Sequence, residues 1–197
     1  MDGANNRELL PATIADVATE IRNGGSASLD AMFQAWGAPN PLIVFDPAEA
    51  DMRESRLVTL LRYWHDMPQI KGLPDHSALD PIDITSTLGI VMLLEVLPEG
   101  DDFRYLIYGE EIAERFGRNM VGKRTSDIPT QASVTTLFLA CYRVAIDTRR
   151  PILTEHSAPP KVSATTWRRL VLPLAGPTGA VERFLVGNIP GAWRKPS

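Results

Sequence analysis

The segment Gly117–Lys123 reads GRNMVGK and nearly matches the phosphate-binding loop of nucleotide hydrolases. In that loop, backbone N–H groups cradle the phosphates, a lysine reaches them, and a following Ser or Thr meets magnesium. Here the following residue is Arg124. The segment also follows a predicted helix, whereas such a loop leaves a strand and opens a helix. We therefore interpret it as two glycine turns beside a solvated basic pair.

The histidines and the cysteine predict neither a metal site nor a nucleophile. His65, His76 and His156 show no metal-ligand spacing, so no metal site is predicted. Cys141 falls in an apolar helical stripe beside Phe138, where a small apolar residue packs well, so core packing is favoured over a nucleophile.

Two further groups are more ambiguous. Three carboxylates, Glu110, Glu111 and Glu114, share a short predicted helix, where an exposed surface is the default and acid–base work would need burial. Trp167, Arg168 and Arg169 combine a ring with two cations, which could stack on bases or bind an anion. Alternation along a strand explains them equally well, with Arg169 outward. No catalytic constellation assembles, and no enzyme is predicted.

Composition narrows the classes further. The chain has 197 residues, 44% of them hydrophobic, which suits one domain with extensions. A net charge of −4 argues against nucleic acid and anionic lipid as partners. The single cysteine favours a reducing compartment, and the N-terminus lacks the pattern of a signal peptide. No apolar stretch is long enough to span a bilayer. We expect a cytoplasmic protein without a membrane partner.

Apolar spacing predicts the helices that would position any site. Four are expected: Pro11–Ile21, a helix bearing Leu29, Met32, Phe33 and Trp36, a helix within Ala50–Asp66 bearing Leu57, Leu60, Leu61 and Trp64, and Ala132–Asp147. A short helix is also expected at Asp80. Gly37–Pro47 reads as a proline-containing linker whose apolar centre, LIVF, should dock on the main domain.

Five segments have the composition of strands: Ile90–Leu97, Phe103–Tyr108, Pro151–His156, Thr165–Leu174 and Val181–Ile189. The outer face of the first two carries Val91, Leu93 and Leu106, so this face needs a cover. Gly109 and Gly122 flank a compact hinge after the second strand. Each is predicted to hold a positive φ or to allow close backbone approach.

Three segments of the chain together resemble one known protein family. The hinge FRYLIYGEEIAERFGRNMVGK, the helix LLRYWHDM followed by LDPIDI, and the strand RRLVLPLAG resemble, in the same order, segments of stand-alone bacterial PAS-type proteins. The likeness covers about residues 57 to 189. It implies an α+β fold, with an antiparallel sheet of about five strands, short helices on one face and N-terminal helices. The expected divisions are a helical extension and linker at 1–47, a PAS-like domain at 48–190 and a tail at 191–197.

The resemblance implies a sensory or regulatory module in signal transduction, binding a small ligand or a protein partner. Its cofactor is unknown. No histidine lies on the long helix where a haem-binding PAS module usually offers one, and the flavin motif N-C-R-F-L-Q of LOV photosensors is absent. A small-pocket enzyme or carrier on the same fold, or a purely structural interaction protein, stays open as an alternative.

The predicted gap between the sheet and the long helix suggests residues that could line a ligand pocket, and the apolar stripes of the N-terminal helices suggest residues that could form an interface. The ligand-pocket candidates are Tyr105, Ile107, Phe138, Cys141, Tyr142 and Trp167, and they suit a small, mostly apolar ligand. Rings that simply fill the core are the slightly favoured explanation, since many PAS-type domains act without a ligand. The apolar stripes predict a homodimer, with Leu57, Leu61, Trp64, Phe33 and Trp36 as interface candidates. The resemblance to signalling modules implies a protein signalling partner as well.

Overall fold

The computed structural model describes residues 10–195. The α-helices are α1 (Leu10–Arg22), α2 (Ala27–Gln34), α3 (Ser55–Asp66), α4 (Glu110–Phe116) and α5 (Ala132–Thr148). The strands are β1 (Leu42–Phe45), β2 (Gln69–Ile70), β3 (Leu73–Pro74), β4 (Val91–Val96), β5 (Phe103–Tyr108), β6 (Ile152–Ser157), β7 (Thr166–Ala175) and β8 (Val181–Pro190). No helix within residues 10–195 combines the length and apolarity needed to cross a membrane.

One antiparallel sheet organises the molecule, with the strand order β1-β6-β7-β8-β4-β5. The predicted α+β class is confirmed, with six strands instead of about five. The additional strand is β1, the LIVF segment of the predicted linker, which pairs with β6 from Leu42 opposite Glu155 to Phe45 opposite Ile152. β2 and β3 form a separate hairpin. At Asp80 the chain makes a turn, and a 3-10 helix follows only at Thr85–Ile90.

The outer face of the sheet is covered by α3 of the same chain. A Cβ at Gly187 in β8 would lie 2.6 Å from the side chains of Leu57 and Leu60, so only glycine lets α3 approach this closely. Trp64 Nε1 donates to the Pro173 carbonyl on β7 at 2.8 Å. The apolar side of α3 therefore covers the outer face of the sheet at β7 and β8.

The inner face is covered by α5, and α1 and α2 form a further layer upon α5. Arg22 at the end of α1 pairs with Asp147 near the end of α5 at 3.1 Å. Trp36, just after α2, donates from Nε1 to Ser133 Oγ at 3.0 Å. The N-terminal helices thus pack within their own chain, against the helix that closes the inner face.

Both glycines of the hinge after β5 lie where the backbone requires glycine, as predicted. Gly109 has a negative φ, but a Cβ there would lie 2.3 Å from the Gly89 carbonyl oxygen. Gly122 has φ +78°. The first glycine allows close backbone approach and the second allows a left-handed turn. Together they hold α4 against the 3-10 helix at Thr85–Ile90 and against β8.

Candidate ligand site between the sheet and the long helix

A cavity of about 30 Å³ lies between the inner face of the sheet and helices α4 and α5. That is room for roughly two water molecules. Its lining is mixed: apolar rings and aliphatic groups are joined by six polar side chains, Tyr105, Tyr108, Thr130, His156, Arg169 and Asn188. Six polar side chains are many for so small a space, so their hydrogen-bond partners decide what the cavity can hold.

The register of three neighbouring strands brings the polar residues together. Arg169 on β7 lies opposite Thr154 on β6 and opposite Asn188 on β8. Two positions along, His156 lies opposite Trp167. Since alternate residues of a strand face the same side, these five residues share the inner face of the sheet.

Arg169 is a buried cation held by aromatic rings. Its side chain is 2% exposed, and its guanidinium lies 3.9 Å above the centre of the Phe138 ring and 5.2 Å from that of Tyr142. It donates to the Tyr142 hydroxyl. Among residues 10–195, no carboxylate forms an ion pair with it. Burial lowers the pKa of Arg169, although an arginine remains charged at neutral pH.

His156 is buried without a hydrogen bond. Its ring is wedged edge-on between Phe33, at 6.2 Å, and Phe138, at 5.3 Å. Neither Nδ1 nor Nε2 has a partner in the described part of the chain. Burial lowers the pKa of His156 to about 3, so the ring is neutral at physiological pH. Asn188 Oδ1 is likewise buried without a partner.

The neighbouring tyrosines and the cysteine are also neutral. Burial raises the pKa of Tyr105 and that of Tyr108. Burial raises the pKa of the Cys141 thiol to about 12, so almost no thiolate is present at neutral pH. The described residues contain no cluster of three or more His, Cys, Asp and Glu side chains that could hold a metal ion. The arrangement is suited to binding, and it offers no activated nucleophile.

Of the six pocket candidates predicted from the sequence, three line the cavity in the structure. Tyr105, Phe138 and Trp167 line the cavity, and Tyr142 contacts it through Arg169. The other two, Ile107 and Cys141, are not part of the lining. A bulge at Leu106 in β5, opposite the step from Leu93 to Leu94 in β4, shifts the pairing of the two strands, and Tyr108 lines the cavity instead. A role of these residues in ligand binding stays a prediction.

Sequence reasoning placed Arg169 on the outer face, and this was wrong. Arg169 is two residues from Trp167 on β7, so both side chains point to the same side, which is the inner one. The same two-residue period was visible in the sequence. His156 and Asn188 carried no comparable signal, because their approach to Arg169 depends on the pairing of β6 and β8 with β7.

The predicted interface residues are used inside the chain. Phe33, Leu57, Leu61 and Trp64 are buried against their own chain. Trp36 is half-buried and bonded to Ser133. These side chains therefore offer no free apolar stripe to a second copy, and any self-association would use another surface.

A comparison with protein families agrees with the fold. A family model described as PAS domain matches residues 52–189. A search of curated proteins finds no match. Among solved structures, the chain is similar to one entitled "Structure of an RNA-binding Light-Oxygen-Voltage Receptor", with 13% identity and a TM-score of 0.46. That alignment covers 91% of this chain and 48% of the other, so the chain spans about half the length of that receptor.

Proposed function

The chain belongs to the PAS-domain family, and we propose that it is a sensory module that binds a small molecule in the cavity beneath α5 and signals through protein contacts, without catalysis. The observation that carries the proposal is the set of buried polar atoms without partners at the cavity, namely both nitrogens of His156 and Oδ1 of Asn188. Buried polar groups are nearly always hydrogen-bonded, so unpaired ones at a cavity support a bound molecule.

A chain of side-chain contacts connects the cavity to the surface helices. Phe138 on α5 and Phe33 on α2 hold the His156 ring from two sides. A molecule that bonds to His156 would fix this ring and, through Phe33, the position of α2. Since α1 and α2 both rest on α5, these three helices are the elements whose stability should change on binding. We propose that they present the output surface to a partner protein or to a second copy of the chain.

The proposal can be tested on the purified full-length protein. Native mass spectrometry, compared with the mass of the denatured chain, detects a small molecule that co-purifies. Hydrogen exchange before and after its removal should show faster exchange in α5 and α2 when the cavity is empty. A chain that carries no molecule, and whose unfolding temperature does not respond to a broad panel of metabolites, would refute ligand sensing.

Size-exclusion chromatography with light scattering tests self-association in the same preparation. A ligand-dependent change of mass would support signalling through dimerisation. An unchanged monomer would leave a protein partner as the output and would rule out the predicted homodimer at that concentration.

A further inference from the structure

The inner end of the cavity carries a positive charge that the described chain does not neutralise. Arg169 is almost fully buried, and its nearest groups are the rings of Phe138 and Tyr142 and neutral hydroxyls. Ring faces attract a cation, but they do not replace a counter-ion. A buried charge without a counter-ion is unfavourable, and a bound anion would remove that cost.

The adjacent groups are suited to donate hydrogen bonds. A neutral His156 carries one N–H, and neither of its nitrogens is engaged. The Asn188 amide can present either its oxygen or its NH₂ group, which have nearly the same shape. A guanidinium, an imidazole N–H and an amide NH₂ at one small cavity match a carboxylate, which only accepts hydrogen bonds.

Size and exposure restrict the rest of the ligand. A cavity of about 30 Å³ accommodates a group of a few heavy atoms, such as a carboxylate head. Its less buried lining residues are Tyr108, Phe116, Ile128 and Thr130, on β5, at the end of α4 and before α5. The cavity therefore has a cationic inner end and an outer side on which the apolar Phe116 and Ile128 lie beside the polar Tyr108 and Thr130.

We propose that the cavity binds a small organic monocarboxylate, with its carboxylate on Arg169, His156 and Asn188 and a short apolar group toward Phe116 and Ile128. This inference rests on the proposed ligand-sensing function and specifies the class of ligand. It assigns Arg169 the role of counter-ion, His156 and Asn188 the role of neutral donors, and the apolar side the selection of ligand size.

Pairs of probes that differ only in charge test the proposal. Formate, acetate, propionate, butyrate and benzoate are compared with the matching neutral amides at constant chloride and pH 7, by calorimetric titration and by unfolding temperature of the full-length protein. We expect at least one acid to bind and to raise the unfolding temperature, while its amide binds at least tenfold more weakly. No effect of any acid, or equal binding by acid and amide, would overturn the proposal.

Neighbouring arginines provide the matched variants. Arg169→Met should weaken binding of the acid at least tenfold, and Arg169→Lys, which retains charge without the planar fork, should have a smaller effect. Arg168→Met, on the opposite face, should leave the affinity unchanged. Loss of binding in an Arg168→Met protein shown to be folded, or full affinity in both folded Arg169 variants, would contradict the assignment. If neutral compounds bind at the cavity while acids do not, the proposal of carboxylate binding is wrong, but the proposed ligand sensing is supported. If nothing binds, both fail.

Discussion

Arg168 and Arg169 are adjacent on β7, and their guanidinium groups lie in opposite electrostatic environments. Arg168 lies on the outer face, where its NH1 lies 2.5 Å from Oε2 of Glu155 on β6 and its Nε lies 3.3 Å from Oε2 of Glu54, the residue before α3. Arg169 faces α5 and has no acidic partner in the described chain. Strand alternation alone creates this difference. Arg168 joins elements of the fold, whereas Arg169 has no partner of opposite charge among the described residues.

Replacing each arginine with methionine should therefore affect stability in different ways. Arg168→Met leaves two partly buried carboxylates unpaired and should lower the free energy of unfolding by about 3 kcal/mol, near the lower end of the range for a broken buried ion pair. Arg169→Met removes an uncompensated charge and should leave stability within about 1 kcal/mol of the parent, or raise it. Urea denaturation without added ligand measures both, and the reverse order would contradict this account.

The contact between α3 and the sheet gives a second prediction. Trp64 is buried and bonded to the Pro173 carbonyl, so Trp64→Ala should lower the free energy of unfolding by about 3–5 kcal/mol. Trp193 is 64% exposed, and Trp193→Ala should change stability by less than about 0.5 kcal/mol. Equal stability of the parent and Trp64→Ala would show that α3 does not cover the sheet in solution.

The two hinge glycines should respond to alanine by different mechanisms. Gly122→Ala adds strain at a positive φ and should cost about 1 kcal/mol. Gly109→Ala places a methyl group on the Gly89 carbonyl, so the backbone must move and the loss should be larger, about 2 kcal/mol or more. Thermal and urea unfolding give both values. A Gly109→Ala protein as stable as the parent would exclude the close approach.

Local patterns in the sequence were sufficient for most of the fold. The spacing of apolar residues located α5 to within a residue at its end, and strand composition located β4 to β8. The LIVF segment was expected to dock, but its pairing with β6 could not be known, since pairing partners are distant in sequence. The bulge at Leu106 in β5 is similarly a property of two strands together, and with it Tyr108 lines the cavity where Ile107 was expected.

The site itself was predicted only in part. Its aromatic residues Tyr105, Phe138 and Trp167 were identified because rings on a common face are visible in a sequence. His156, Arg169 and Asn188 were missed because burial decides their chemistry. His156 reads as an ordinary histidine until β6 places it between two rings, and Arg169 reads as a surface cation until α5 closes over it.

Burial of His156 also predicts a specific dependence of stability on pH. In the unfolded chain the imidazole takes up a proton near its ordinary pKa of 6.5, whereas in the folded protein it does so only near 3. Unfolding therefore takes up a proton between these values, and stability should fall as the pH falls through this window, by up to about 1.4 kcal/mol per pH unit. The free energy of unfolding in urea at pH 7, 6 and 5 covers the upper part of the window, above the range in which most carboxylates titrate.

The variant His156→Gln isolates this contribution, because glutamine cannot take up the proton. Between pH 6 and 5, the parent should lose about 1 kcal/mol more than the variant. The exposed His65 supplies the control: His65→Gln should retain the dependence of the parent. A variant at position 156 with the same dependence as the parent would show that the imidazole is charged or hydrated in the folded protein. It could then not serve as the neutral donor assigned to it at the cavity.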